Sequence, residues 1–344
     1  MTAAGLLRGP RAVLRRLAGR RPGRGGAVCV MMYHRIAEAD VDPWGLCVSP
    51  ERFASHLALY GQWGVLLTVS ELGQRLREGR LPRRAVVVTF DDGYPDNLDT
   101  AAPLLARHGV PATVFVTTGD EGRTREMWWD ELEQVLLLPG SLPPTLDRRL
   151  GESPVVWDLG DAATYSAAQA RRHRAWRAWE PPPTPRHGLY RHLWELLVEQ
   201  AAPAQRLALD DLLRWAGQAP AVRPTHRLLS DDGIRALART VDVGAHTVTH
   251  PALSALSPKA QQDELEASRI HLEAVLGSPV RSCAYPYGRT SGDTRAAAEA
   301  AGFDIAFTTE PEAVRPGADL LAVPRIAVPD VSAAALLETL THAV

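Results

Sequence analysis

The sequence predicts an α/β fold organised as a parallel barrel, and three observations lead to this prediction. Short apolar runs alternate with helix-like segments, and counting the runs gives seven or eight strands. The runs are apolar almost throughout, which is typical of strands buried on both faces of a parallel sheet. Helix caps and glycine stops separate them, as expected of right-handed β–α–β units.

The first third of the chain starts this alternation. The first apolar run ends at His34, Ser70 is a candidate helix cap, and Gly109 is a candidate helix stop. The predicted strands cover residues 27–33, 65–69, 85–90 and 112–117. Predicted helices in this part of the chain include residues 71–78 and 94–108. Asp91 and Asp92 directly follow the third of these strands.

The pattern breaks between residues 119 and 227. Helical pieces are predicted over 131–138, 190–199 and 205–215, separated by proline-rich breakers. Seven of the nine tryptophans lie here, so this segment either has a core of its own or uses an aromatic ring or two to stack on sugars. We interpret residues 119–227 as an inserted helical lid or substrate subdomain.

Regular alternation resumes at Ser230. Strands are predicted over 241–245, 280–285, 305–308 and 320–328, and helices over 258–276 and 293–301. The predicted organisation is therefore a basic N-terminal arm (1–26), a barrel formed by residues 27–118 and 228–344, and the insertion between the two barrel segments.

Composition narrows the classes of function. A net charge of -2 gives no general attraction to nucleic acid, and no apolar run approaches the roughly 18–20 residues that cross a bilayer. Three cysteines, Cys29, Cys47 and Cys283, lack the spacing of a thiolate metal site and favour buried free thiols.

The N-terminal arm has its own character. It carries seven arginines and no acidic residue, and its scattered apolar positions do not form the core of a signal peptide. We therefore expect a cytoplasmic protein. The arm is interpreted either as a solvated terminus or as a basic amphipathic segment in peripheral contact with anionic lipid.

The residues expected to carry chemistry are the pair Asp91 and Asp92 and the histidines His246 and His250. Each could have a structural role, as a helix cap or a loop hydrogen bond. Together they fall at the C-terminal ends of predicted parallel strands, which share one face of a barrel. Pro251 places the histidines on a strand end and a turn. One carboxylate and two imidazoles suit zinc or another first-row divalent ion, and the second carboxylate is then available as a base.

At this point the motifs Thr-Phe-Asp-Asp-Gly and His-Thr-Val-Thr-His resemble those of the polysaccharide deacetylases, the NodB-homology group or carbohydrate esterase family 4. The resemblance implies an irregular (β/α)7 barrel and removal of acetyl from an N-acetylated sugar or glycan. It implies that Asp91 is the catalytic base and that Asp92, His246 and His250 bind the metal, usually zinc, with cobalt or nickel able to substitute. The segment Tyr-Pro-Tyr-Gly resembles a third motif and implies that the backbone N–H of Tyr287 is the oxyanion donor.

Two family features are missing. The arginine that many members use to steady the base is replaced by Ala284, and we do not find the Leu-x-x-His pattern of the usual general acid in the second barrel segment, residues 228–344. We hypothesise that Arg325, on the last strand, takes the first role and that His34 takes part in the second. The alternatives are a surface ion pair for Arg325 and a strand-end hydrogen bond for His34.

Three functions are compatible with these residues. The first is a metal-dependent N-deacetylase acting on an amino sugar or glycan. The second is an O-acetyl esterase or another amidase, because attack on an acyl carbon is common to all of these reactions. The third is a glycan-binding protein without catalysis, for which the two missing family features are the motivation.

Overall fold

The computed structural model describes residues 26–119, 121–150 and 153–344, with only the backbone at residues 121 and 122. The predicted N-terminal arm therefore lies outside the described residues, except for Gly26. The strands are β1 (Val28–Tyr33), β2 (Arg35–Ile36), β3 (Cys47–Val48), β4 (Val65–Leu66), β5 (Ala85–Phe90), β6 (Ala112–Val116), β7 (Gly140–Ser141), β8 (Thr145–Leu150), β9 (Ser153–Asp158), β10 (Thr164–Tyr165), β11 (Asp242–Ala245), β12 (Ser282–Ala284), β13 (Ile305–Phe307) and β14 (Ile326–Ala327).

The helices surround these strands. They are α1 (Pro50–Trp63), α2 (Val69–Arg77), α3 (Ala102–His108), α4 (Glu121–Thr124), α5 (Trp128–Leu137), α6 (Ala167–His173), α7 (Pro185–Leu197), α8 (Ala202–Ala216), α9 (Asp231–Leu237), α10 (Pro258–Leu276), α11 (Gly292–Ala300) and α12 (Ala333–Ala343). In the described parts of the chain, none of the helices combines the length and the apolar character needed to span a bilayer.

Eight strands form one parallel sheet, which curls into a half-barrel. Its order is β13-β12-β11-β6-β5-β1-β14, and β4 pairs with the start of β5. A parallel bridge between Phe307 and Val323 connects the end of β13 to the segment before β14. The predicted α/β barrel is confirmed.

The apolar runs explain the centre of this sheet. Strands β1 and β5 pair over six residues, from Val28 opposite Ala85 to Tyr33 opposite Phe90, and every residue of both is buried. The ladder pairs the backbone groups of the two strands, so both faces can be buried against apolar side chains. The bounds of β5 and α10 agree with the predictions at both ends.

Local signals explain two differences from the predicted elements. Thr68, rather than Ser70, caps α2, because Thr68 and Glu71 form a reciprocal capping box. The predicted helix over 94–108 contains a π-helical turn, Asn97–Ala101, before α3. Pro103 has no N–H to continue the α-helical bonding at this point, which accounts for the widened turn.

The segment between β6 and α9 has its own apolar core. Its centre is formed by α5, α7 and α8, and it also contains the antiparallel hairpin β8–β9, which the sequence analysis did not predict. Five of its tryptophans are buried in this core: Trp128, Trp129, Trp176, Trp194 and Trp215. These five rings therefore pack a core. The proposed domain boundaries stay a prediction.

Candidate active site

The predicted site residues converge at the C-terminal edge of the sheet. Asp91 follows β5, His246 follows β11, and Tyr287 lies two residues beyond Tyr285, which follows β12. Because the strands are parallel, their carboxyl ends lie on one side of the half-barrel, where barrel folds place their chemistry. Arg325 reaches the same region from the residue before β14.

Asp91 is held by a buried ion pair with Arg325. The guanidinium donates two parallel hydrogen bonds, from Nη1 to Oδ1 and from Nη2 to Oδ2, both 2.7 Å long. The Arg325 Nε atom donates to the Thr308 carbonyl at 3.0 Å. Arg325 is 0% exposed, so the alternative of a surface ion pair is wrong.

This pairing fixes the charge of Asp91. Burial raises the pKa of Asp91, but the Arg325 guanidinium and the His246 imidazole lower it by more, so the pKa lies below its ordinary value. The guanidinium carbon is also 5.6 Å from the centre of the Phe115 ring and 5.8 Å from that of Phe307. The aromatic faces and the two parallel hydrogen bonds restrain Arg325, which keeps Asp91 ionised and oriented.

Asp92 faces the two histidines instead. Its Oδ1 atom lies 3.5 Å from Nε2 of His246 and 3.3 Å from Nε2 of His250. The three ligand atoms all lie within 4.8 Å of one another, and all three side chains are buried. Burial raises the pKa of Asp92, yet its contacts with the imidazoles bring that pKa well below its ordinary value.

The hydrogen bonds around this cluster fit a metal ligand set. Nδ1 of His246 lies 2.8 Å from the Ala284 carbonyl, which can only accept, so Nδ1 carries the hydrogen. The lone pair of the neutral ring is then on Nε2 and faces Asp92. Asp92 Oδ1 has no hydrogen-bond partner in the described part of the chain. An electron pair and a buried carboxylate oxygen that face each other favour a cation between them.

The separations also agree with a first-row divalent ion. Ligands about 2.0–2.2 Å from a tetrahedral zinc ion lie about 3.3–3.6 Å from one another. The two distances from Asp92 to the imidazole nitrogens fall within or close to this range. Asp92, His246 and His250 could therefore hold zinc, and the same donor set admits cobalt or nickel.

Backbone strain concentrates at this cluster. Within the described ranges, the four non-glycine residues with positive φ are Asp92 (74°), Thr247 (66°), His250 (57°) and Tyr287 (58°). Such conformations cost free energy and persist where the surrounding structure enforces them, often at functional sites. Asp92 lies beyond the end of β5, so the left-handed turn at this residue, rather than strand alternation, directs its side chain.

The loop after β6 holds the histidine loop in place. The N–H groups of Thr118 and Gly119 donate to the carbonyls of Thr247 and Val248, at 3.2 and 2.8 Å. A Cβ atom at Gly119 would lie 2.5 Å from the Val248 carbonyl oxygen, so this approach requires glycine. Thr247 Oγ1 accepts from the His250 N–H at 3.1 Å, which ties together the turn between the two histidines.

Glu264 is a residue of this site that the sequence analysis missed. Its Oε2 atom accepts from the N–H groups of Val248 and Thr249, both at 2.8 Å, and its Oε1 atom accepts from Thr249 Oγ1 at 2.6 Å. One carboxylate on α10 thus binds the loop between the two histidines. The position of Glu264 sixteen residues after Val248 gives no motif-level signal.

Tyr287 and Trp129 flank His250. Their ring centroids lie 4.7 and 4.6 Å from that of His250. Trp129 Nε1 donates to Tyr94 Oη at 2.9 Å, which orients the indole. The backbone N–H of Tyr287 finds no acceptor among the residues that the structure describes, so it is free to bind a ligand.

His34 lies at the rim of the site. Its backbone carbonyl accepts from Asn97 Nδ2 at 2.8 Å, and its side chain is partly buried. His34 contributes to lowering the pKa values of Asp91 and Asp92, after the larger effects of burial and the closer partners. Its part in proton donation stays a prediction.

Fold and site together define a parallel α/β barrel protein with a carboxylate–imidazole centre. The family model for polysaccharide deacetylase matches residues 78–137 and 214–306. These two segments of the chain are similar to the polysaccharide deacetylase family.

Curated relatives are also named as deacetylases. YxkH of Bacillus subtilis, which is named as a polysaccharide deacetylase, is 20% identical over 87% of this chain and 70% of its own length. The poly-beta-1,6-N-acetyl-D-glucosamine N-deacetylase of Staphylococcus aureus is 33% identical over 22% of this chain. That match spans only 26% of the staphylococcal protein.

Solved structures with the same fold cover nearly the whole chain. The deacetylase PplD of Streptococcus pyogenes, solved in complex with acetate, has a TM-score of 0.56 and 20% identity, covering 92% of this chain and 99% of its own. IcaB from Ammonifex degensii has a TM-score of 0.54 and 19% identity, covering 93% and 97%. At these identities the likeness concerns the fold.

We predict that Glu264→Ala lowers the free energy of unfolding by about 2 kcal/mol, because two N–H groups and one hydroxyl lose a charged acceptor. Urea denaturation would measure this loss. Asp263→Ala is the matched control on the same helix, since Asp263 makes an exposed pair with Lys259, which is worth at most about 1 kcal/mol. Equal losses in the two variants would contradict the role of Glu264.

Proposed function

We propose that this protein is a metal-dependent hydrolase that removes an acetyl group from an N-acetylated amino sugar or glycan and releases acetate. The observation that carries the proposal is the division of the adjacent carboxylates. Asp91 is paired with Arg325, whereas Asp92 faces His246 and His250. A hydrolase of this kind needs one carboxylate as a ligand and one as a base.

Asp92, His246 and His250 would hold the divalent ion, for which zinc is our first choice. When bound, such an ion polarises the acyl carbonyl and lowers the pKa of water. The neutral form of an imidazole is the one that binds metal. Burial lowers the pKa of His250, which favours that form, whereas for His246 burial is outweighed by Asp91 and Asp92, which raise its pKa.

Asp91 would take the proton from the attacking water. Its ion pair uses one lone pair on each oxygen, and a carboxylate has about four acceptor positions, so it can still accept a proton. Arg325 keeps the carboxylate ionised and fixes its direction. This support replaces the arginine that the family resemblance placed at Ala284.

The remaining roles concern charge on the substrate. The Tyr287 N–H would donate to the oxygen that becomes negative during attack, which is the usual use of an unpaired backbone N–H in an acyl-transfer site. His34, at the end of β1, would give a proton to the departing amine. These assignments account for the departures of the sequence from the family motifs.

The acyl group and the location of the protein are also proposals. The staphylococcal relatives are named as N-deacetylases of an N-acetylglucosamine polymer, which supports an N-acetylated sugar over an O-acetyl ester. The ion pair between Arg325 and Asp91 argues against a glycan-binding protein without catalysis, since the missing arginine was a motivation for that alternative. A cytoplasmic location, with membrane contact through the basic arm as a further hypothesis, rests on the sequence.

The zinc-loaded protein is predicted to release acetate and free amine in equal amounts from N-acetylglucosamine oligomers. A chelator should abolish the release and added zinc should restore it, because the ligand set loses its cation. Parallel assays on O-acetylated glycans separate the deacetylase from the esterase. Absence of acetate from every acetylated glycan, with zinc bound, would contradict hydrolysis and favour the binding protein.

Variants of Arg325 and His34 test their proposed roles, which are support of the Asp91 base and proton donation to the departing amine. We expect Arg325→Ala and His34→Ala to lower kcat by about 10²-fold or more, the typical value of a positioned acid or base. Arg325→Lys keeps the charge but loses the two parallel hydrogen bonds, so it should lower kcat by a smaller factor while the fold is kept. Circular dichroism checks the fold of each variant. Activity within a few-fold of wild type in either alanine variant would show that its assigned role is wrong.

A further inference from the structure

Two buried hydrogen-bond donors beside the candidate site have no acceptor among the described residues. They are the indole N–H of Trp128 and the hydroxyl of Tyr287. Trp128 is only 3% exposed. Leaving one such donor unsatisfied costs about 1–3 kcal/mol, so native proteins rarely do so without a reason.

The two donors are neighbours at the flank of His250. The Tyr287 ring stands nearly perpendicular to the His250 ring, with the centroids 4.7 Å apart. The Trp194 ring contacts both residues, since its centroid lies 5.8 Å from that of Trp128 and 6.1 Å from that of Tyr287. An acceptor placed between the two groups would therefore lie beside the catalytic centre.

Both groups keep their hydrogens. An indole N–H does not ionise in proteins, and it can only donate. The Tyr287 hydroxyl lies close enough to the Trp128 indole N–H for the two groups to interact, and an ordinary phenol has a pKa of about 10. The phenol therefore stays protonated at neutral pH and can serve as a donor.

Helix α5 holds Trp128 in a fixed position. Three acidic residues that follow it on α5 are anchored to other elements: Asp130 accepts from Tyr94 Oη at 2.7 Å, Glu131 from Arg125 Nη2 at 2.6 Å, and Glu133 from Arg223 Nη1 at 2.9 Å. Tyr287 lies in the loop after β12 with a positive φ of 58°, a conformation that the surrounding structure enforces. The backbone that carries the second donor is therefore constrained as well.

We propose that Trp128 Nε1 and Tyr287 Oη together bind a hydroxyl oxygen of the sugar that carries the acetyl group, and so select an amino sugar over a simple amide. This inference rests on the proposed function. Two donors without acceptors suit an oxygen of the ligand, and a sugar offers hydroxyl oxygens close to its acetamido group. A site built to hydrogen-bond a substrate hydroxyl discriminates strongly against analogues that lack it.

The test compares two substrates in wild type, Tyr287→Phe and Trp128→Phe. We expect the ratio of kcat/KM for an N-acetylglucosamine oligomer to kcat/KM for 4-nitroacetanilide to fall at least about tenfold in each variant, as expected for the loss of a hydrogen bond to substrate. Tyr287→Phe should not lower the melting temperature of the free protein, because its hydroxyl has no partner to lose. The backbone N–H of residue 287 is kept in this variant.

Tyr190→Phe is the matched control. Tyr190 is fully buried, and its hydroxyl accepts from Trp44 Nε1 at 2.8 Å. Its removal should destabilise the protein by about 1 kcal/mol and leave the substrate ratio unchanged.

Calorimetric titration with the same oligomer makes the test independent of turnover. If wild type released no acetate, the proposed function would fail, and weaker oligomer binding in Tyr287→Phe and Trp128→Phe would still support the donor pair. An unchanged substrate ratio, or unchanged oligomer affinity where no turnover is seen, would overturn the donor pair while the proposed function stands.

Discussion

The site depends on the constraint that two adjacent carboxylates are both buried. Isolated buried charge is costly, so each carboxylate needs a cation or hydrogen-bond donors of its own. Asp91 obtains a guanidinium from the far end of the chain, and Asp92 turns toward two imidazoles. The functional difference between two neighbours in sequence therefore originates in the different partners that the curled sheet brings to each.

The rest of the structure serves this division of partners. The parallel sheet gathers the ends of β1, β5, β11 and β12 on one side, and the segment before β14 adds Arg325. The left-handed turn at Asp92 directs its side chain to the histidine loop, which Gly119 and Glu264 hold from two directions. Trp128 and Trp129 belong to the core of α5, α7 and α8, and the Trp129 ring packs against His250. The segment that interrupts the barrel therefore also lines the candidate site.

Much of this could be predicted from sequence because the signals are local. Continuous apolar runs located the strands, and the positions of Asp91, Asp92, His246 and His250 at strand ends indicated that they would meet. Arg325 was found because the absence of an arginine at position 284 required a substitute near another strand end. The features that the sequence did not predict depend on contacts between distant segments. Glu264 contacts the histidine loop from α10, and the hairpin β8–β9 lies in a segment interpreted as helical. The direction of the Asp92 side chain was not predicted either, because backbone strain is set by packing and leaves no periodic pattern in the sequence.

The central claim is that Asp91 and Asp92 have separate roles, and zinc content measured together with acetate release tests it most directly. Asp91→Asn should keep about one zinc ion per chain, because the ligand set is intact, and should release almost no acetate. Asp92→Asn should lose zinc affinity and, with it, activity. Loss of zinc in Asp91→Asn with retention in Asp92→Asn, or full activity in either variant, would contradict the account.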